Sequence, residues 1–211
     1  MSWLDFGYYP SSAQIDAFLD PLTPIAGVSS LSIRRVSGAA SCALNWGAGP
    51  GLARGKTHGT IRCRVHPLEL FSNSHQFGLL SMFSQHDLTS AGSCYALRMR
   101  GDDLDLVKYT AGLAASGSIL VTVAGVLPGS WEVEQVIQLD WAADQQDVLG
   151  GTYLRAWHAL GTDFGALAEV AAWLDTSAPL STSVNEGGFA GDFGAGFNFS
   201  VLFDSLRVEL P

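Results

Sequence analysis

The chain contains no apolar run approaching the roughly 20 residues a membrane-spanning helix requires. It is also poor in basic residues, with eleven Lys and Arg against twenty Asp and Glu and a net charge of −9. Such a balance repels phosphate, which argues against sequence-independent nucleic-acid binding and disfavours an anionic membrane surface. Neither nucleic acid nor membrane is therefore an expected partner. Charged residues of both signs are scarce, 15% of the chain beside 47% hydrophobic residues, whereas a disordered acidic chain is highly charged and weakly hydrophobic. Only three cysteines occur, Cys42, Cys63 and Cys94, too few and too widely spaced for a disulfide framework or a four-thiolate zinc site. Each lies in an apolar, alternating stretch and reads as a buried thiol acting as a small hydrophobe. The start, Met1-Ser2-Trp3-Leu4-Asp5, lacks the basic residues and apolar core of a signal peptide, so the expected product is made and matured in a cytosol.

Recognisable catalytic motifs are missing too. His58, His66, His75, His86 and His158 show no HExxH spacing and no adjacent cysteine, so a zinc site would have to be assembled by the fold alone. No serine lies in Gly-x-Ser-x-Gly, and Gly47-Ala48-Gly49-Pro50-Gly51 reads as a turn rather than a phosphate loop.

What the chain has in abundance is glycine, 24 residues in 211, separating short runs of alternating polarity. That length suits one all-β domain, and the pattern is that of an antiparallel sandwich. Candidate strands lie near residues 31–36, 42–46, 60–66, 77–84, 94–100, 103–109, 119–124, 133–142, 152–158 and 197–210. The run at 168–174 fits strand or helix equally by period. Residues 1–30 differ: Trp3, Phe6, Tyr8 and Tyr9 crowd a segment broken by Pro10, Pro21 and Pro24. They read as an arm preceding a domain over residues 31–211, with one short helix in which Ile15, Phe18 and Leu19 share a face. Such an arm either packs on its own domain or makes an assembly contact, with Trp3, Phe6, Tyr8, Tyr9 and Phe18 as the contacting residues.

The sharpest local prediction is a hairpin turning at Gly101-Asp102. It pairs Arg100 with Asp103 and Arg98 with Asp105 on an outer face, and Met99 with Leu104 and Leu97 with Leu106 on an inner one. Alternation also turns Ile61, Cys63 and Val65 inward, leaving Arg62, Arg64 and His66 outside. Ile137, Leu139 and Trp141 likewise leave Gln138 and Asp140 outside, and inward Leu154 and Ala156 leave Tyr153, Arg155 and Trp157. In the last strand the apolar parity changes between Phe203 and Leu206, which calls for a β-bulge near Asp204-Ser205. Basic residues outnumber acidic ones eight to five in residues 1–100, whereas residues 101–211 hold three basic and fifteen acidic ones. With strands from both halves mixed in each sheet, that asymmetry favours charge pairing between strands.

The run Gln138-Leu139-Asp140-Trp141, a short acidic loop, and Gly151-Thr152-Tyr153-Leu154-Arg155-Ala156-Trp157 resembles the central strand pair of concanavalin A-like lectin/glucanase domains, including laminin G-like ones. Ala172-Trp173-Leu174-Asp175-Thr176-Ser177, Pro179-Leu180, Gly187-Gly188-Phe189-Ala190-Gly191 and the closing Val201-Leu202-Phe203-Asp204-Ser205-Leu206-Arg207-Val208 resemble that superfamily's terminal segment. The resemblance covers residues 31–211 and implies a two-sheet antiparallel jelly-roll β-sandwich whose concave sheet and edge loops often bind glycans. It also implies a test for catalysis, because a glucanase of this kind would carry Glu-x-Asp-x-x-Glu on one strand, setting two carboxyl groups on one face. That motif is absent. The nearest pair, Glu132 and Glu134, reads as two carboxylates on a solvated strand face. The expected protein is therefore not an enzyme, although a hydrolase or lyase using other residues stays open.

No cofactor is expected. Lectin and laminin G-like domains can hold calcium, and the residues that could do so here are Asp140, Asp144 and Asp147, or Asp102, Asp103 and Asp105; charge pairing already accounts for Asp103 and Asp105. A glycan site would use Tyr153, Arg155 and Trp157 with Gln138 and Asp140 on the adjacent strand, joined by Arg62, Arg64 and His66. The alternative is that these tryptophans pack under loops or against the arm. The resulting expectation is a non-catalytic structural or surface-binding component of a virus particle, similar to jelly rolls in bacteriophage tail appendages and capsid decorations. Its partners would be other particle subunits, further copies of itself, and a surface glycan. A free carbohydrate-binding module and a glycan-cleaving enzyme are the alternatives.

Overall fold

The computed structural model describes residues 6–10, 15–20, 30–35, 40–46, 58–68, 75–81, 92–113, 117–128, 132–143, 150–180, 187–193 and 199–209. Fourteen strands among them form two antiparallel sheets of seven. Sheet A runs β1 (Phe6–Pro10), β4 (Ala40–Trp46), β13 (Gly187–Phe193), β6 (His75–Ser81), β7 (Cys94–Arg100), β8 (Asp103–Tyr109), β9 (Ser118–Val123). Sheet B runs β12 (Ala168–Asp175), β11 (Thr152–Leu160), β10 (Gln135–Ala143), β5 (His58–Pro67), β14 (Phe199–Glu209), β3 (Ser30–Arg35), β2 (Ile15–Asp20). This is the antiparallel sandwich the period-two pattern predicts and the jelly roll the resemblance implies. The run at 168–174 is strand, paired along β11.

The core lies between the sheets. Ile61, Cys63 and Val65 of β5, Ile137, Leu139 and Trp141 of β10, Leu154 and Ala156 of β11, and Val201 and Phe203 of β14 are all buried in it. Sheet A supplies Leu79, Tyr95, Leu97, Met99, Leu104 and Leu106. Full burial of each large aliphatic or aromatic side chain is worth about 1.5–3 kcal/mol, and this inward set holds the layers together. Cys63 and Cys94 are buried free thiols, and burial pushes both well above the usual thiol range. The side chain of Cys42 lies outside the described ones.

The hairpin forms in the predicted register, Arg98 opposite Asp105 and Arg100 opposite Asp103. Gly101, with φ 62, takes the first central position of its turn, where glycine carries no steric penalty. One expectation needs correction: its charged face is not an exposed one. Arg98 is 8% exposed and Asp105 fully buried, because the same face carries a second apolar cluster of Cys94, Ala96, Val107, Tyr109 and Leu113. Asp105 accepts from Arg98 Nη2 at 2.8 Å, Arg100 Nε at 2.9 Å and Thr122 Oγ1 at 2.6 Å. Burial alone would raise its carboxyl pKa, but the bonds from Arg100, Thr122 and Arg98 hold it below the usual carboxylate value.

The closing strand bulges as expected. Asp204 pairs with Arg64 and Arg207 with Arg62, three steps on β14 against two on β5, and Ser205 takes φ 51. The extra residue lets Phe203 and Val208 meet the inward positions Val65 and Ile61 in the same ladder.

The first thirty residues depart from expectation. Ile15–Asp20 is not helix but β2, paired along β3, and Phe6–Pro10 is β1, paired along β4. A helix of so few residues between prolines forms too few hydrogen bonds to repay its nucleation, whereas β3 offers a ready edge. The two segments close one lateral edge of the sandwich, and β9 with β12 forms the other. Strand β13 was not foreseen either. Three of its seven residues are glycine, which reads as loop, yet it pairs with β4 and β6 on either side.

A buried polar clamp joins the two sheets at one end. Asp175 on β12 accepts from Lys108 Nζ of β8 at 2.7 Å, Tyr95 Oη of β7 at 2.6 Å and Ser177 N at 3.0 Å. The remaining Lys108 donors reach the carbonyl oxygens of Ser177 and Ala178 at 2.7 and 2.6 Å. Leu180 N donates to Tyr95 Oη at 3.0 Å. Burial alone would raise the Asp175 pKa, but hydrogen bonds from Lys108, Tyr95 and Ser177 hold it low. Burial and the Asp175 partner push the Tyr95 phenol up.

Candidate functional site

The residues predicted to form a ligand face come together on the side of sheet B turned away from the core. Pairing of β10 with β11 sets Gln138 opposite Trp157 and Asp140 opposite Arg155. Pairing of β10 with β5 sets Gln138 opposite Arg62 and Asp140 opposite Thr60. Tyr153, next to Ala142 in the ladder, is 37% exposed. Period two alone produces this, since each of these positions alternates with a core residue on the same strand.

Asp140 organises the middle of the face. Its Oδ1 accepts from Thr60 Oγ1 and from Gln138 Nε2, both at 2.9 Å, and its Oδ2 accepts from Trp157 Nε1 at 2.7 Å. Arg155 Nη2 lies 3.5 Å from the same Oδ2, and Arg155 Nη1 lies 3.8 Å from Glu169 of β12. With the Arg155 side chain 42% exposed, these pairs add at most about 1 kcal/mol each. The guanidinium also lies over the Trp157 indole, 5.5 Å from its centroid, a cation–π contact that fixes the ring. A carboxylate already engaged by three hydrogen bonds and a guanidinium is suited to positioning Gln138, Arg155 and Trp157 rather than to proton transfer. Its oxygens face donors of the protein, not a cluster of acids, and no group of three or more metal-ligating side chains occurs among the described residues. Asp144 and Asp147 lie outside the described residues.

Arg62 and Arg64 extend the face toward β14. Arg62 Nη2 pairs with Glu209, and Arg64 donates to Thr162 O at 2.8 Å and Ser205 Oγ at 3.0 Å. His66 continues the same strand face, and its Nε2 is buried with no hydrogen-bond partner among the described residues. Thr60, Glu169, Glu209 and Phe164 belong to the face but were not singled out from sequence. Thr60 shares the parity of Arg62 and was there to be read; the others arrive from strands or turns whose register only the fold reveals.

The other candidates fall elsewhere. Glu132 and Glu134 precede β10 rather than sharing a strand face, and Glu132 sits at φ 71 with its N donating to Pro67 O at 3.0 Å. The pairing they were expected to show on a strand is thus corrected: the strand begins at Gln135, after them. His158 is buried against Gln135, Nε2 to Oε1 2.7 Å, and burial lowers its pKa. Of the arm residues, Phe6, Tyr8 and Tyr9 lie on β1 and Phe18 on β2. Trp3 lies outside the described residues.

No protein-family model matches the chain, and no curated protein matches it in sequence. Solved structures do match its fold. A carbohydrate esterase from the Shiga toxin-encoding bacteriophage phi24B aligns over 97% of this chain and 90% of its own, at 18% identity and TM-score 0.53. An alginate lyase from Chlorella virus aligns over 97% and 91%, at 9% identity and TM-score 0.60. The carbohydrate-binding module CBM66 from Bacillus subtilis aligns over 94% and 97%, at 10% identity and TM-score 0.54. At these identities the likeness establishes the jelly-roll fold. Glycan-binding and glycan-processing proteins are both among the similar structures.

Proposed function

We propose that this protein is a non-catalytic, concanavalin A-like jelly roll that holds a glycan on the outer face of sheet B and works as a component of a larger assembly, a virus particle in the first instance. The observation carrying the glycan reading is the convergence of Tyr153, Trp157, Arg155, Gln138 and Arg62 around Asp140 on one partly exposed face. Aromatic rings contact the C–H faces of sugars, while planar amides and guanidinium groups address hydroxyls. The hydrogen bonds and ring contact from Asp140 and Arg155 hold that set in place before a ligand arrives, which lowers the ordering entropy of binding. The likeness to CBM66 supports glycan binding, and those to a bacteriophage esterase and a viral lyase are in keeping with a viral source.

Partner subunits, including further copies of this chain, would meet it at the edge formed by β1 and β2, where the aromatic N-terminal residues lie. A glycan array screened with the whole protein tests the main claim. Binding that is abolished by Trp157→Ala and weakened by Tyr153→Ala, with both variants folded, is expected; binding indifferent to both would overturn it. A second reading, a glycan-cleaving enzyme, is favoured by the alginate lyase likeness and predicts soluble product from polysaccharide, which the binding reading does not.

A further inference from the structure

On sheet B, at the corner nearest the single turn of 3-10 helix (Phe164–Ala166) that follows β11, three guanidinium groups surround one aromatic ring. The Arg62, Arg64 and Arg207 carbons lie 5.4, 5.4 and 5.6 Å from the Phe164 centroid. Arg62 and Arg64 sit two residues apart on one face of β5, and Arg207 stands directly opposite Arg62 in the ladder. Like charges so placed repel, and in a chain of net charge −9 their gathering calls for an explanation.

The carboxylates nearby offset them only in part. Glu209 pairs with Arg62 but is itself 59% exposed, where an ion pair is weak. Asp204, opposite Arg64 in the ladder, turns Oδ1 toward the N and Oγ of Ser205. Arg64 donates to neutral oxygens, Thr162 O and Ser205 Oγ. Arg207 is exposed and has no carboxylate partner among the described residues. The Nε of Arg62 is buried and has no hydrogen-bond acceptor among the described residues. The ring holds the guanidinium groups together by cation–π attraction, while Asp163, capping the turn through Gly165 N at 2.8 Å, holds Phe164 in place.

We propose that this corner binds an anionic substituent, a carboxylate or sulfate ester, of an acidic glycan. Guanidinium forks match the planar or tetrahedral oxygens of such groups and bind them by charge-assisted hydrogen bonds. The inference deepens the glycan-binding reading, since the remainder of the sugar chain would lie across Trp157 and Tyr153 on the same face.

The test titrates the whole protein, and its Arg207→Gln and Trp157→Ala variants, with a hexameric oligouronate, a sulfated hexasaccharide and a neutral hexaglucan, read by calorimetry. Arg207→Gln removes an exposed side chain and leaves the fold intact, which circular dichroism verifies. The expected result is binding of at least one acidic oligomer that weakens about tenfold in Arg207→Gln, with affinity for the neutral oligomer unchanged. Acidic-oligomer affinity equal in wild type and Arg207→Gln overturns this proposal, and so does failure of both acidic oligomers to bind. If the neutral oligomer still binds and depends on Trp157, the anionic site fails while the glycan face stands. Dependence on Arg207 with indifference to Trp157 has the opposite meaning.

Discussion

Replacing Asp175 by alanine removes the carboxylate that bridges the sheets at the Lys108 end. The substitution leaves the Lys108 ammonium, on a side chain 9% exposed, with two carbonyl oxygens but no countercharge among the described residues, and leaves Tyr95 Oη without its Asp175 acceptor. Breaking a buried pair from one side typically costs about 3–5 kcal/mol, because the surviving charge stays desolvated. The lost Tyr95 bond overlaps with that figure rather than adding to it, since both act through one carboxylate. Against a total stability of roughly 5–15 kcal/mol, this is a large fraction. Urea unfolding followed by tryptophan fluorescence measures it as a lower midpoint at unchanged slope. The double variant Lys108→Met with Asp175→Leu removes both charges and should be less destabilised than Asp175→Ala alone. A cost below about 1 kcal/mol for Asp175→Ala, or a double variant as unstable as the sum of its parts, would refute the clamp.

Acid should unfold the protein in two stages. The folded-state pKa of His158 lies below 6.5 because burial disfavours the imidazolium, so its contribution is complete above about pH 6.5 and is lost as pH falls below that value. Asp105 and Asp175 are held below 3.8, so theirs is complete above about pH 4 and is lost as pH falls through their folded values. Urea midpoints measured from pH 8 to pH 3 should show a shallow fall followed by a steeper one; a flat profile across that range contradicts both assignments. Gly78→Ala should destabilise the fold by several kcal/mol, because a Cβ there would sit 1.8 Å from the carbonyl oxygen of Leu97, an atom of the backbone that no rotamer can move. A soluble Gly78→Ala protein with a native thermal midpoint would contradict the close approach of β6 and β7.

Much of this architecture could be read one strand at a time. Alternation alone assigned the inward set of β5, β10 and β11 and hence the residues of the outer face, and the change of parity after Phe203 located a bulge at Ser205. The charge pattern around Gly101 set a hairpin register that the ladder reproduces. What escaped depends on partners distant in sequence. Nothing local marks Lys108 and Asp175, 67 positions apart, as a pair. Likewise Arg98 and Asp105 look like surface charges until Val107, Tyr109 and Leu113 are seen to bury their face. The N-terminal strands and glycine-rich β13 were hidden for another reason: proline, aspartate or glycine interrupts each of them, and the neighbouring strands supply the hydrogen bonds that make them β.

The central claim is that the face of sheet B built around Asp140 is the binding surface. Two-dimensional NMR of the labelled protein, titrated with the glycan that scores highest on an array, tests it most directly. The account predicts that the Trp157 indole N–H and the amides of Tyr153, Arg155, Gln138 and Arg62 shift together on one binding curve while those of β7 and β8 stay fixed. Shifts concentrated on sheet A, with the Trp157 indole unmoved at saturation, would contradict it.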